Sequence, residues 1–283
     1  MGSRRNGCIT KLPLHCAPSE SLPKDSYLPP LSRFVDEGMN PIEETGSWYL
    51  YNGRLNEGIH ALESISKPDS NTLLWLGILH MKQGRDGIAE EYFRSTLVTA
   101  RENGDSAVVP VCLCMLSRVN TDRGDYSAAL DLVGKAKEAA TQEGARRSEA
   151  LTFHALAYCL RISRDLDGSI AAYKSAIQIY LDEGDSQRMN EEIRNLATAL
   201  FLNGEIDEAA KILRELQGKL SQRGPYFEAY SHVDGAILSF TEGKFEESQS
   251  DIEKALSAIE ACEQTLDPDE EMVVEYLRNR IPR

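Results

Sequence analysis

The sequence predicts an all-α solenoid of about six helical hairpins stacked side by side, with one further helix capping the C-terminal end. Three observations carry this. Short turn signals recur at a near-constant interval, a second glycine series keeps step with them, and the apolar residues in between fall at helical spacing.

Taken in order, the chain opens on an arm unlike the rest. Six of its eleven prolines stand in the first forty-one residues, at Pro13, Pro18, Pro23, Pro29, Pro30 and Pro41. Proline lacks a backbone donor and blocks a helix interior, so residues 1–37 read as an irregular or disordered arm. Residues 38–266 carry the repeats. Their turn signals are YNGRL, KQGRD, DRGDY, ISRDL, LNGEI and TEGKF, centred on Gly53, Gly84, Gly124, Arg164, Gly204 and Gly243 at intervals of 31, 40, 40, 40 and 39 residues. Gly104, Gly144, Gly184 and Gly224 form the second series, each twenty residues after a turn. Glycine adopts the left-handed conformation that ends many helices without a clash at Cβ. Arg164 stands where the other five turns have glycine, and a left-handed arginine costs about 1 kcal/mol.

The segments between turns are helical. In YSAALDLVGKAKEAA (126–140), Ala129, Leu132, Val133, Ala136 and Ala140 share one face. Met189, Ile193, Leu196, Ala197 and Leu200 do the same in SQRMNEEIRNLATALFL (186–202). Asp-Ser follows both Gly104 and Gly184, which suits an N-cap for the next helix. A lone hairpin cannot bury its apolar face, so neighbours must stack. Residues 267–283 hold the last helix and tail. Within them PDEEMVVEYLRNRI (268–281) opens on proline with acidic residues in its first turn, both favourable at a helix start, and is expected to cover the final repeat.

The net charge is −14, a field that repels nucleic acid and anionic membranes. The longest basic clusters are pairs such as Arg4-Arg5 and Arg146-Arg147, so no nucleic-acid partner is expected. There is no run of eighteen apolar residues to span a membrane. The six cysteines form no CxxC and no zinc-finger spacing with histidine, which points to free thiols in the cytoplasm or another reducing compartment, four of them packed as small hydrophobes. The arm is free of Asp and Glu until Glu20, which leaves organellar targeting open. No GxSxG, HExxH or phosphate loop is found. Carboxylate pairs such as Glu90-Glu91 and Glu246-Glu247 read as solvated helix faces, and Asp267, Asp269, Glu270 and Glu271 as a capping and solubilising cluster. The expectation is a non-catalytic protein with no cofactor and no metal.

The stretch LGILHMKQGRDGIAEEYF (76–93) resembles the tetratricopeptide repeat family, whose pattern is W-x₂-L-G-x₂-Y followed by A-x₃-F. Leu73 takes the tryptophan place, Leu76-Gly77 match, His80 replaces tyrosine, and Ala89 and Phe93 match the later pair. Leu116-Ser117, Leu156-Ala157, Leu196-Ala197 and Gly235-Ala236 keep the first pair in altered form, and Gly46, Gly58 and Leu62 suggest a degenerate first repeat. The period exceeds the usual length of about 34 residues and is similar to the long repeats of MalT-type activators, more distantly to those of kinesin light chains and LGN-type adaptors.

The resemblance implies a right-handed superhelix whose concave face, lined by the first helix of each repeat, binds a partner. Carried over position by position, it puts Arg118, His154, Tyr158, Arg161, Arg194, Tyr230 and Phe240 along one groove. The sequence expectation is that this basic, aromatic groove receives an extended peptide or helix with acidic groups, because arginine forks a carboxylate with two hydrogen bonds. The competing expectation pairs the arginines with neighbouring glutamates. The MalT-type likeness also implies an alternative function, a regulatory sensor for a small ligand or signalling peptide. The two-carboxylate clamp of chaperone-binding members is absent, since Glu43, Ser47, Trp75, Val111 and Met115 occupy its places.

Overall fold

The computed structural model describes residues 41–219 and 224–282, and the arm expected at 1–37 lies outside them. Thirteen helices are seen among the described residues, and no strand. They run α1 (Pro41–Tyr51), α2 (Leu55–Glu63), α3 (Ser70–Lys82), α4 (Asp86–Asn103), α5 (Val108–Asp122), α6 (Tyr126–Gln142) and α7 (Arg146–Ile162). The second half continues α8 (Leu166–Asp182), α9 (Ser186–Leu202), α10 (Ile206–Leu216), α11 (Pro225–Thr241), α12 (Phe245–Ala261) and α13 (Pro268–Arg278). The first twelve pair as six hairpins, each odd-numbered helix packing on its successor, and neighbouring hairpins meet where α2 packs on α3, α4 on α5, α6 on α7, α8 on α9 and α10 on α11. The first hairpin is the short one, α2 having 9 residues, which accounts for the single shorter turn interval.

All six turn centres are left-handed, with φ between 65° at Gly53 and 86° at Gly204. Arg164 is among them at φ 72°. Its turn carries the same two bonds as the glycine turns: Asp165 N donates to Leu160 O at 2.8 Å and Arg164 N to Arg161 O at 3.1 Å. In the second series Gly104, Gly144 and Gly184 are left-handed, whereas Gly224 sits at φ 131° and precedes α11. A Cβ there would lie 2.6 Å from the Tyr51 carbonyl oxygen, so the first hairpin dictates glycine at this place. Asp185 caps α9 as its sequence context suggests, accepting from Arg188 N. Asp105 does not cap α5, which starts after Ala107; its carboxylate instead accepts the Ser70 hydroxyl at 2.6 Å.

Small residues mark where the two helices of a hairpin touch. At Gly77 a Cβ would come within 2.4 Å of the Phe93 ring, so the Leu-Gly pair exists to admit that phenylalanine. Three other hairpins use serine at the same crossing. Ser117 Oγ donates to Ala129 O at 3.0 Å, Ser169 Oγ to Ala157 O at 2.8 Å and Ser248 Oγ to Ala236 O at 2.8 Å. A buried hydroxyl is tolerated only because the close approach puts a carbonyl within reach. The largest apolar cluster spans α7 to α13 and buries Tyr173, Tyr180, Phe201, Ile237, Ile252 and Leu277. Phe201, Ile237, Ile252 and Leu277 each contribute roughly 1.5–3 kcal/mol.

The ends of the stack meet. α1 packs on α11, and the Tyr51 ring lies 5.3 Å from Phe227 and 6.1 Å from Tyr226. Past α12 the strap 262–267 crosses the first two hairpins. There Glu263 accepts from Asn56 N at 2.8 Å, and Thr265 N donates to Lys82 O at 3.0 Å. α13 then does not extend the stack beyond α12. It packs on α7 and α11, on the inner face of the curve.

Candidate interaction site

The inner face is built from the last turns of α3, α5 and α7 and the middle of α9 and α11. Four cations project there: Lys82, Arg118, Arg161 and Arg194. Each carries an aromatic ring beside it. Arg118 lies over Tyr158 at 4.5 Å, Arg161 over Tyr173 at 5.1 Å, Arg194 over Tyr230 at 5.2 Å and Lys82 over Tyr226 at 5.3 Å. Rings of this kind stabilise a cation that has lost water.

The start of α13 meets these cations with three carboxylates. Asp267 receives Lys82 Nζ at 2.8 Å, Arg118 Nη2 at 2.7 Å and the Tyr230 hydroxyl at 2.8 Å. Asp267 is the N-cap residue of α13 but makes no side-chain cap, so its oxygens are free for these partners. Arg161 pairs with Asp269 and donates to Asn195 O at 3.0 Å. Arg194 forks Glu270 at 2.7 and 3.1 Å and reaches Asp234 at 2.8 Å. Burial works to raise the Asp267 carboxyl, but the Arg118 and Lys82 charges outweigh it and hold it well below the usual carboxylate range. Glu270 and Asp234 share one guanidinium, and burial pushes both carboxyls up against its pull. Carboxylates at this end also complement the positive end of the helix dipole.

Beyond its acidic turn α13 presents an apolar face. Val273, Val274 and Leu277 are buried in the main cluster, and Tyr276 meets Phe201 edge-on at 4.9 Å and Phe240 at 6.4 Å.

Six of the seven sequence-selected groove residues thus gather around α13 directly or through one neighbour: Arg118, Arg161, Arg194 and Tyr230 through carboxylates, Tyr158 beneath Arg118, and Phe240 against Tyr276. Tyr158 also donates to Asp122 at 2.6 Å. His154 stands apart. Its Nδ1 lies 3.0 Å from both Glu192 oxygens, while Arg194 with Asp234 of the next hairpin is a contact of the kind the competing expectation described. Sequence reasoning missed Lys82, which stands one place beyond Met81, the residue in register with Thr121 and Arg161. It also read Asp267, Asp269 and Glu270 as solvated, yet Asp269 and Glu270 are 4 % and 1 % exposed. The only sequence signal was a cluster of four carboxylates, Asp267, Asp269, Glu270 and Glu271, ahead of VVEYL, opposite in sign to the arginines the repeat register collects.

No family model matches the sequence, and no curated protein matches it in sequence. The chain is similar to a tetratricopeptide repeat protein from Parabacteroides merdae, at 16% identity and a TM-score of 0.52 over 88% of each chain. It is also similar to BtubC (BKLC) from P. vanneervenii, at 16% identity and a TM-score of 0.50 over 90% of this chain and 95% of that one. At such identity the likeness concerns the fold. The molecule has the fold of a helical-repeat solenoid similar to those of tetratricopeptide repeat proteins. No helix among the described residues is long and apolar enough to cross a membrane.

Proposed function

We propose that this protein is a non-catalytic interaction module that takes a helical segment bearing acidic groups on its concave face and holds the partner in an assembly. One observation supports this above others: four ring-backed cations on successive hairpins are spaced so that a single acidic helix engages all of them. Arg146, Glu149, Phe153, Lys174, Gln178 and Asp182 line a surface cleft of about 440 Å³, but it lies outside the groove and does not favour the small-ligand reading. Free, buried Cys112, Cys114, Cys159 and Cys262 fit a reducing compartment, with burial pushing the Cys112 and Cys114 thiols up to about 12.

Arg194→Ala would strand the buried Glu270 and Asp234 carboxylates, which typically costs about 3–5 kcal/mol, so alanine would confuse binding with folding. Arg118→Lys with Arg194→Lys keeps both charges and removes both forks. The full-length protein would be used as bait, partners identified by mass spectrometry, and the affinity of the recovered partner compared between wild type and the double lysine variant. A loss of about tenfold or more, with the fold intact by circular dichroism, is the expected result. Unaltered affinity rules the groove out.

A further inference from the structure

The groove is already filled, and what fills it is not a repeat. α13 has no hairpin partner of its own; it lies in the concavity as a single helix tethered by the strap 262–267. Without it the inner face would keep Lys82, Arg118, Arg161 and Arg194 against Asp122 and Asp234, four cations to two anions, a net of +2 inside a chain of net −14. Such a surface, flanked by Phe201 and Phe240, calls for an occupant that is acidic at one end and apolar along one side.

Resting on the groove reading above, we infer that α13 is a resident pseudo-ligand: an acidic amphipathic helix of the partner protein binds by displacing it. The resident helix specifies the chemistry of its competitor. Carboxylates belong at the N-cap position and the second and third residues of the helix, where Asp267, Asp269 and Glu270 stand; apolar residues follow where Val273, Val274 and Leu277 stand. Exchange is favoured because one set of carboxylates replaces another on the same cations, so no charge is left buried and unpaired at the end of the process. A tethered competitor also lowers the apparent affinity of an incoming helix by the fraction of time the site is open. The strap ties this to the whole ring, because the residues leading into α13 are those that bridge the first two hairpins.

Three measurements on the full-length chain decide it. Hydrogen exchange on the unaltered protein is expected to show residues 262–278 opening together while α9 and α11 remain protected. Protection of α13 equal to that of α9 would make it permanent core and end the inference. A fluorescent peptide of the chain's own residues 263–281 serves as probe. It is expected to bind Asp267→Asn/Glu270→Gln, whose resident helix is weakened, at least about tenfold more tightly than wild type. Equal affinity would overturn the exchange. Finally, a Cβ at Gly84 would sit 3.8 Å from Thr265 Cβ, a good disulfide separation. Gly84→Cys/Thr265→Cys, in the wild-type or weakened background, is expected to lose peptide binding when oxidised and regain it on reduction. Binding indifferent to redox state would sink the proposal. Should the weakened variant not fold, exchange and staple on the otherwise unaltered chain still decide. The two readings fail differently: α13 opening without any peptide binding refutes the groove as an interaction site, whereas partner binding with α13 still protected refutes displacement alone.

Discussion

At the scale of single residues, Arg164 shows a sequence anomaly resolved by geometry. Its φ of 72° puts it in the left-handed region its glycine counterparts occupy, and its turn bonds match theirs. Arg164→Gly is therefore expected to stabilise the protein by about 1 kcal/mol and to raise Tm by about 2–4 °C. A lower Tm in differential scanning calorimetry would mean the arginine side chain contributes more than its backbone costs. The turn residues were legible because a positive φ selects one amino acid so strongly. The ion-pair residues were only half legible. Repeat register located Arg118, Arg161 and Arg194, but no register locates Asp269 or Glu270, which lie outside the repeats and reach the arginines through tertiary packing.

At the scale of elements, helix identity followed from periodicity and helix contact from the small residues. The 126–140 and 186–202 segments lie within α6 and α9, and the Leu76-Gly77 pair proved to be the point where α3 admits Phe93. Gly77→Ala would force a methyl to within 2.4 Å of that buried ring. The expected cost is about 1–3 kcal/mol, measured by urea unfolding, despite the better helix propensity of alanine. A neutral or stabilising result would show that Phe93 has room to shift. Asp105 was the element-scale surprise, spending its carboxylate on Ser70 in the preceding hairpin instead of on its own helix start. A local motif cannot reveal that a neighbour thirty-five residues earlier competes for the same acceptor. α13 is similar: it starts at Pro268 and ends at Arg278, but its destination was not readable, because inward and outward packing look alike in a sequence.

At the scale of the whole molecule, the charge arrangement makes stability depend on acid. Asp267 has a folded carboxyl value depressed by Arg118 and Lys82, so its contribution is complete above its unfolded value and fades as pH falls towards the folded one. Stability from urea titrations is expected to hold from neutral pH down to about pH 4 and to decline below it. In Asp267→Asn that acid limb should flatten, while stability at neutral pH drops by about 3–5 kcal/mol because Lys82 and Arg118 lose their shared partner. An unchanged acid limb would assign the effect to other carboxylates.

Contact between the first and last hairpins has a mechanical corollary. An open stack of repeats frays from its termini, each end unit having one neighbour where inner units have two. Here Tyr51 against Phe227, and Asn56 against Glu263, give both terminal units a second neighbour, so among the described residues heat has no loose end at which to begin. Melting should be a single sharp event so long as the strap stays in place, and whatever lifts the strap also supplies the missing end.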